Sequence, residues 1–525
     1  MSGANGQELP TGWAATKLSD ILETRSGKAD PQSMPDAKFI GMEQVEAHTM
    51  RLLGTVPCGS MKSGANTFYP KDVLYGRLRS YLNKVYQPDF AGLCSGEFIV
   101  FPETSAVLGR FLKYRLNAGD FVRFASRINT GDRPRVDFDQ LKVFDTWLPP
   151  RAEQERIADA LDELFSDLDA GVVALERTRE KLKLYRASVL KAAVDGTLTA
   201  DWRAQHPQTE PAAELLKRIL VERRRRWEED QLAKFKPKGK EPPKNWRTKY
   251  REPVGPGVAN LPPLPEGWCW ATFDQIAGLI TKGSSPGWQG FQYQTSGVPF
   301  VRSQNIRWGS LDLTDIEYLS SEFNMSHSGS IVQAGDVLLN LVGASVGRCA
   351  IATEQIDGAN LNQAVGIIRL IPNEVANRWI MMYVISYRGQ RHIHTTKADV
   401  ARANFNLDDL RPMPVPLPPS AEQTAIIEGV EDQLSVIELL DSDLDTKLKS
   451  AQTLRHAILR HAFTGQLMPQ DPNDEPASEL LKRISTEREA RAREVAAARR
   501  ASKKKTDTPR TGRRGRSRKT RTKDK

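Results

Sequence analysis

Two stretches near the front of the chain interleave guanidinium, amide and aromatic side chains at a spacing suited to the edges of nucleic-acid bases. Tyr75-Gly-Arg77-Leu-Arg79-Ser-Tyr81-Leu-Asn83-Lys84 alternates basic and aromatic residues around a glycine-containing turn, and Arg123-Phe-Ala-Ser-Arg127-Ile-Asn129-Thr-Gly-Asp-Arg133-Pro-Arg135 forms a second basic loop. Three later segments have a similar make-up: Val301-Arg302-Ser303-Gln304-Asn305, Ala359-Asn360-Leu-Asn362-Gln363, and Lys397-Ala-Asp-Val-Ala-Arg402. Arginine bonds guanine bidentately, and asparagine or glutamine does the same for adenine. Other lysines and arginines clamp phosphates and set register. The residues expected to contact DNA are therefore Arg77, Arg79, Asn83, Lys84, Arg133 and Arg135, followed by Arg302, Gln304, Asn305, Asn362, Gln363, Lys397 and Arg402. Any one of them is equally accounted for by a solvated surface charge or a turn-stabilising amide. Only the clustering points to reading.

Residues for bond-making chemistry are scarce. Cys58, Cys94, Cys269 and Cys349 are scattered without the paired spacing of a disulfide framework or a zinc site. His392 and His394 lack a carboxylate or thiol at ligand spacing. No Gly-x-x-x-x-Gly-Lys-Ser/Thr phosphate loop occurs, nor an Asn-Pro-Pro-Tyr or Phe-x-Gly-x-Gly signature of an adenine methyltransferase. Pro35-Asp36-Ala-Lys38 is a fragment of a nuclease cluster without its partner acid. The expectation is a chain with no catalytic centre, no metal and no cofactor of its own.

The elements that must position the basic clusters come in duplicate. Leu9-Pro-Thr-Gly-Trp13 recurs as Leu264-Pro-Glu-Gly-Trp268, and Leu148-Pro-Pro-Arg-Ala-Glu-Gln154 as Leu417-Pro-Pro-Ser-Ala-Glu-Gln423. Pro211-Ala-Ala-Glu-Leu-Leu-Lys-Arg-Ile219 recurs as Pro476-Ala-Ser-Glu-Leu-Leu-Lys-Arg-Ile484, with Gly196-Thr-Leu198 matching Gly465-Gln-Leu467 on the way. Three ordered matches define a duplicated unit of about 260 residues. Between the matched junctions the copies share only scattered positions, such as Asp72-Val-Leu74 and Asp336-Val-Leu338. Similar scaffolds carrying dissimilar inserts suit a pair that recognises two different things.

From Arg151 the pattern becomes helical. Ile157, Leu161, Leu164, Leu168, Val172 and Leu175 recur at three- and four-residue steps, and the second copy supplies Ile426, Val430, Leu434, Ile437, Leu444, Leu448 and Ile458. This spacing predicts two coiled-coil seams. One such helix would leave its seam in water, whereas two in one chain bury each other. The inserts mix strands (Phe98–Phe101, 364–371) with short helices (109–116, 377–386). The expected fold is mixed α/β (α+β), with two pseudo-symmetric recognition domains separated by two long antiparallel helices. Its segments are a first module over 9–150, a central spacer helix over 151–199, and a helical, charged linker over 200–260. A second module over 261–416, a second spacer helix over 417–466, a C-terminal helix over 467–490 and a basic, disordered tail over 491–525 complete it.

The net charge of +10 belongs to that tail. Residues 491–525 hold sixteen Lys or Arg against three acids, a local +13 that leaves the rest of the chain at −3. Such a block either neutralises phosphates or serves as a solubilising extension. No apolar run nears the ~20 residues of a membrane span, and the first residues lack a signal peptide's basic start and apolar run, so a soluble cytoplasmic protein is expected.

Taken together these motifs resemble the specificity subunit of type I restriction-modification systems over roughly residues 9–490. The carrying residues are the two Leu-Pro-x-Gly-Trp openers, Gly76-Arg-Leu-Arg-Ser-Tyr-Leu-Asn-Lys84, Val346-Gly-Arg-Cys-Ala-Ile351, Asn404-Phe-Asn-Leu-Asp-Asp-Leu410, and Leu-Pro-Pro-x-Ala-Glu-Gln before each helix. The resemblance implies two target-recognition domains reading the halves of an asymmetric, bipartite double-stranded DNA site. It further implies two modification (methyltransferase) subunits docked on the helices and two ATP-dependent restriction subunits, with S-adenosylmethionine, ATP and Mg belonging to those partners. A specificity subunit of a methylation-only defence system, or a coiled-coil adaptor that reads no sequence, are the alternatives.

Overall fold

A proline pair stops the chain at Pro149-Pro150 and again at Pro418-Pro419, and each time a long helix starts at the next residue. Proline carries no N–H, so it cannot extend a strand ladder and is well tolerated where a helix begins. The computed structural model describes residues 9–128, 132–235, 242–257, 261–372, 374–399 and 404–506. Four long helices are α1 (Arg151–Asp195), α2 (Ala212–Phe235), α3 (Ser420–Phe463) and α4 (Ala477–Thr506). Two compact units divide the chain: residues 1–175 with 446–525 make the first, and residues 176–445 the second.

In the first unit, strand Ala14–Lys17 pairs antiparallel with Asp145–Leu148, so the module leaves the scaffold and returns beside its starting point. Between them lie a five-stranded sheet, ordered Lys28–Ala29, Ala65–Phe68, Gly92–Ser95, Lys38–Ile40, Val56–Pro57, and a three-stranded sheet, ordered Val85–Tyr86, Val73–Gly76, Phe98–Phe101. Helices Gly109–Arg115 and Gly119–Ile128 cover the latter. The core joins this module to Ile157, Leu161 and Phe165 of α1, Leu459, Ala462 and Phe463 of α3, and Ala477, Leu480 and Ile484 of α4.

The second unit repeats the plan. Cys269–Thr272 pairs antiparallel with Pro414–Leu417. An antiparallel sheet runs Ala277–Lys282, Val365–Leu370, Val337–Asn340, Cys349–Ile351, and a three-stranded sheet runs Glu317–Leu319, Val298–Val301, Asn360–Leu361. Helix Asn377–Ile385 packs with Val189, Leu190 and Ala193 of α1, Ala212, Leu215 and Ile219 of α2, and Ile426 and Val430 of α3.

Why the junction motifs repeat is visible in their hydrogen bonds. Trp13 donates its indole N–H to Glu153 at 2.9 Å, and Trp268 donates to Glu422 at 2.9 Å. Gln154 accepts the Leu108 N–H and donates to the Ala106 and Pro149 carbonyls, while Gln423 accepts the Ala376 N–H and donates to the Pro418 carbonyl. Each pair fastens the module's opener and its first helix to the start of a spacer helix. The turn glycines Gly12 and Gly267 take φ values of 82° and 81°, which glycine reaches without steric penalty. Their carbonyls accept the N–H groups of Ala477 and Ala212, both at 2.8 Å. The Pro-Ala-x-Glu-Leu-Leu helix of each copy thus docks on the opener of the other copy.

The seams hold with one correction. Ile157, Leu161, Ile426, Val430, Ile437 and Leu444 are buried, and Leu168, Leu175 and Leu434 are partly buried. Leu164, expected in the seam, is 38% exposed, and its neighbour Phe165 is buried in its place. The seam takes a four-residue step from Leu161, which seats the Phe165 ring 4.4 Å from the Arg455 guanidinium, itself paired with Asp169. In the second unit Arg179 bonds Asp441 and Asp445 while Tyr185 bonds Gln433, so α1 and α3 run antiparallel there. A second correction concerns the tail. Helix α4 continues through Thr506, where disorder was expected from residue 491. Its Glu-Val-Ala-Ala-Ala-Arg-Arg sequence is built from strong helix formers. Residues 507–525 lie outside those described. Within the segment expected as a linker, α2 buries Ala212, Leu215 and Ile219, and Trp227 stacks on Trp246 at 5.9 Å.

Candidate nucleic-acid interface

The two basic loops of the first module, far apart in sequence, lie side by side. Strands Val73–Gly76 and Val85–Tyr86 form a hairpin whose tip is residues 77–84. Arg79 donates its N–H to the Pro134 carbonyl at 2.7 Å, Val136 donates to the Arg77 carbonyl at 3.0 Å, and Leu78 bridges to Arg135. Ser80 fixes the tip to helix Gly119–Ile128 through the Ala125 carbonyl. Arg79, Tyr81, Arg123, Arg127 and Arg133 are all exposed around this clasp. The result is a cationic surface with an aromatic ring at its tip, a combination suited to phosphate contact and base-edge bonding.

Other candidates have internal duties. Lys84 donates to the Met42 carbonyl at 2.6 Å, and Arg135 makes a bidentate pair with Glu97. Arg77 is half-buried, and Asn83 is buried. In the second module, Arg302 bonds the Asp315 carbonyl and carboxylate and pairs with Glu317, leaving its side chain 17% exposed. Gln304 bonds Asp315, and Asn305 is buried, holding the Arg302 N–H and the Asp312 carbonyl. Asn362 accepts the Ala364 N–H, while Gln363 is exposed. Within the second module these residues mainly shape a turn. Arg402 and the side chain of Lys397 lie outside the described residues.

An exposed aromatic set in the second module was missed. Trp288 is 94% exposed on the turn Gly287–Gln289, which Phe291 anchors by packing on Phe323 at 5.3 Å between centroids. Tyr293 and Trp308 are about half exposed in the same module. The signal lay in Pro286-Gly-Trp-Gln-Gly290, where a large apolar residue sits inside turn chemistry.

The thiols are poor nucleophiles and ligands. Burial pushes Cys94 up to about 12 and Cys269 up to about 11, and raises Cys58 and Cys349 as well. Among the described residues no cluster of three or more His, Cys, Asp or Glu is placed to hold a metal ion, and no helix is long and apolar enough to cross a membrane.

Comparison with known proteins adds an independent line. A family model described as Type I restriction modification DNA specificity domain matches residues 293–449. The EcoBI type I restriction enzyme specificity subunit of Escherichia coli is 27% identical over 361 residues, covering 65% of this chain and 64% of that protein. The EcoDI specificity subunit of Escherichia coli is 23% identical over 500 residues, covering 92% of this chain and 97% of that protein. A chain in a solved structure of a type I restriction-modification system superposes with a TM-score of 0.63 at 18% identity, over 88% of this chain and all of that one. This last likeness concerns the fold.

Proposed function

The chain is a homologue of the type I restriction enzyme specificity subunits, and from that premise we propose that it is the sequence-reading, non-catalytic member of a type I restriction-modification complex. Each unit reads one half of an asymmetric, bipartite duplex target through its own diverged module. The long helices set the gap: 45 residues at ~1.5 Å each amount to about 68 Å, ample for half-sites ~34 Å apart. Two modification subunits dock on the helical scaffold and supply S-adenosylmethionine, and two ATP-dependent restriction subunits complete the nuclease. The chain itself binds no cofactor and works in the cytoplasm.

The observation that carries this reading is the duplicated junction. The same Trp–Glu and Gln contacts hold two modules whose reading surfaces differ. A scaffold repeated while its inserts diverge fits two unlike half-sites. The test is selection from a random duplex library by the full chain together with its modification subunit. Two fixed blocks around a constant gap are expected. Enrichment of one continuous block, or of nothing, would overturn it.

A further inference from the structure

The reading hairpins of the two units are built alike, and one difference between them is informative. Leu74 pairs with Tyr86 in the first, and Leu338 with Ala350 in the second. Gly76 donates its N–H to the Lys84 carbonyl at 2.8 Å, as Asn340 does to Arg348 at 2.9 Å. Leu82 donates to Arg79, as Val346 does to Gly343. This correspondence sets Arg79 against Gly343 and Asn83 against Gly347. All four take left-handed backbone: φ is 52° at Arg79 and 39° at Asn83, 83° at Gly343 and 89° at Gly347.

Glycine adopts that conformation freely, whereas an arginine forces its Cβ against a carbonyl oxygen. Asparagine tolerates it better. Space does not explain the choice, because a Cβ built on Gly343 meets nothing within 4 Å. The second unit has glycine at a turn that demands glycine. The first unit keeps an exposed arginine there, whose side chain makes no hydrogen bond or ion pair among the described residues. Asn83 adds to the cost, since both atoms of its buried amide lack a hydrogen-bond partner. Backbone strain and unsatisfied amides collect at sites pre-organised for a ligand.

We propose that Arg79 is a specificity-determining residue of the first unit, aimed by its left-handed turn at base edges of duplex DNA. This rests on the reading of the chain as a DNA specificity subunit. At the equivalent turn the second unit presents only backbone, so the two units read their half-sites by different chemistry. A phosphate clamp would not require the strained arginine, because the N–H groups of a glycine turn already bind anions. A bidentate fork on a guanine does require a fixed direction.

The test compares wild type, Arg79→Gly, Arg79→Ala and Arg79→Lys as full chains with the modification subunit. Random duplex selection is run alongside thermal unfolding. Arg79→Gly should unfold no lower than wild type and above Arg79→Ala, because only glycine relieves the turn. Arg79→Gly and Arg79→Lys should both lose base preference within one block alone, with affinity for the selected sequence falling about 10- to 100-fold. Unaltered selection by Arg79→Gly overturns the proposal. So does full preference in Arg79→Lys, which would show that charge alone suffices, and so does unfolding of Arg79→Gly below Arg79→Ala. A wild type that selects nothing defeats the specificity-subunit reading as well; two intact blocks with an indifferent Arg79→Gly defeat only this inference.

Discussion

Replacing Glu422 by glutamine should loosen the second unit far more than the matching change at Glu153 loosens the first. Four groups of donors and acceptors explain why. Glu422 is fully buried and accepts Trp268 at 2.9 Å, Thr199 at 2.7 Å, and Arg203 through Nη2 at 2.6 Å and Nε at 3.1 Å. Glu153 accepts Trp13 at 2.9 Å and Gln470 at 3.4 Å, while its neighbour Arg156 is taken by Asp474. Glutamine at 422 turns one oxygen into an NH2 facing other donors and removes two charge-assisted bonds, each contributing about 1.5–3 kcal/mol. Arg203 keeps 22% of its side chain in water, so hydration recovers part of that loss. A net cost near ~3 kcal/mol follows, against less than ~1 kcal/mol for Glu153→Gln. The readout is native-state hydrogen exchange at two matched amides: Ala212, bonded to Gly267, and Ala477, bonded to Gly12. At about 1.36 kcal/mol per factor of ten, Glu422→Gln should speed exchange at Ala212 about a hundredfold, whereas Glu153→Gln should leave Ala477 within a few-fold. Equal acceleration at both amides, or an unmoved Ala212, would refute the reasoning.

Three further outcomes are expected. Burial lifts the Glu153 carboxyl above its ordinary range, opposed by the Trp13 and Gln470 hydrogen bonds; the folded state therefore holds that proton more tightly, and the stability it contributes is present below about pH 4.3 and lost as pH rises through the lifted value. Glu153→Gln should accordingly gain stability relative to wild type on going from pH 4 to neutrality, and denaturation curves showing the opposite trend would contradict the assignment. Phe165→Ala should cost about 3–5 kcal/mol in chemical denaturation while Leu164→Ala stays within about 1 kcal/mol, because the ring is buried and the leucine is not. Arg302→Ala should lower the unfolding temperature of the second unit by stranding Asp315 and Glu317; a variant that unfolds like wild type yet loses base preference would return Arg302 to a reading role.

Much of the scaffold was legible because its signals are local. Trp13, Trp268, the Ala-Glu-Gln runs and the Pro-Pro stops are short motifs whose repetition needed no tertiary knowledge, and the strands at Phe98–Phe101 and Val365–Leu370 follow from β-branched and aromatic runs. Leu164 was misplaced because three- and four-residue steps are both helical, and only the facing Arg455 selects Phe165. The reading surface was less legible. Composition flagged Arg79 and Arg133, but their juxtaposition depends on a backbone clasp joining residues far apart in sequence. Composition equally flagged Arg302 and Asn305, whose acidic and carbonyl partners at 312–317 satisfy them within the fold. Trp288 escaped because a solitary tryptophan in a turn has no periodicity to betray it.

The first unit is assembled from both ends of the polypeptide, whereas the second is one continuous stretch, residues 176–445. On a ribosome, N-terminal segments emerge first and domains fold as they become complete. The second unit therefore has everything it needs before the first does. Ile157, Leu161 and the Gly12 carbonyl must wait, unsatisfied, until Leu459, Phe463 and Ala477 are synthesised. A nascent chain stalled short of residue 446 would carry a finished rear half and an open front half, so the earliest-made module is the last to close.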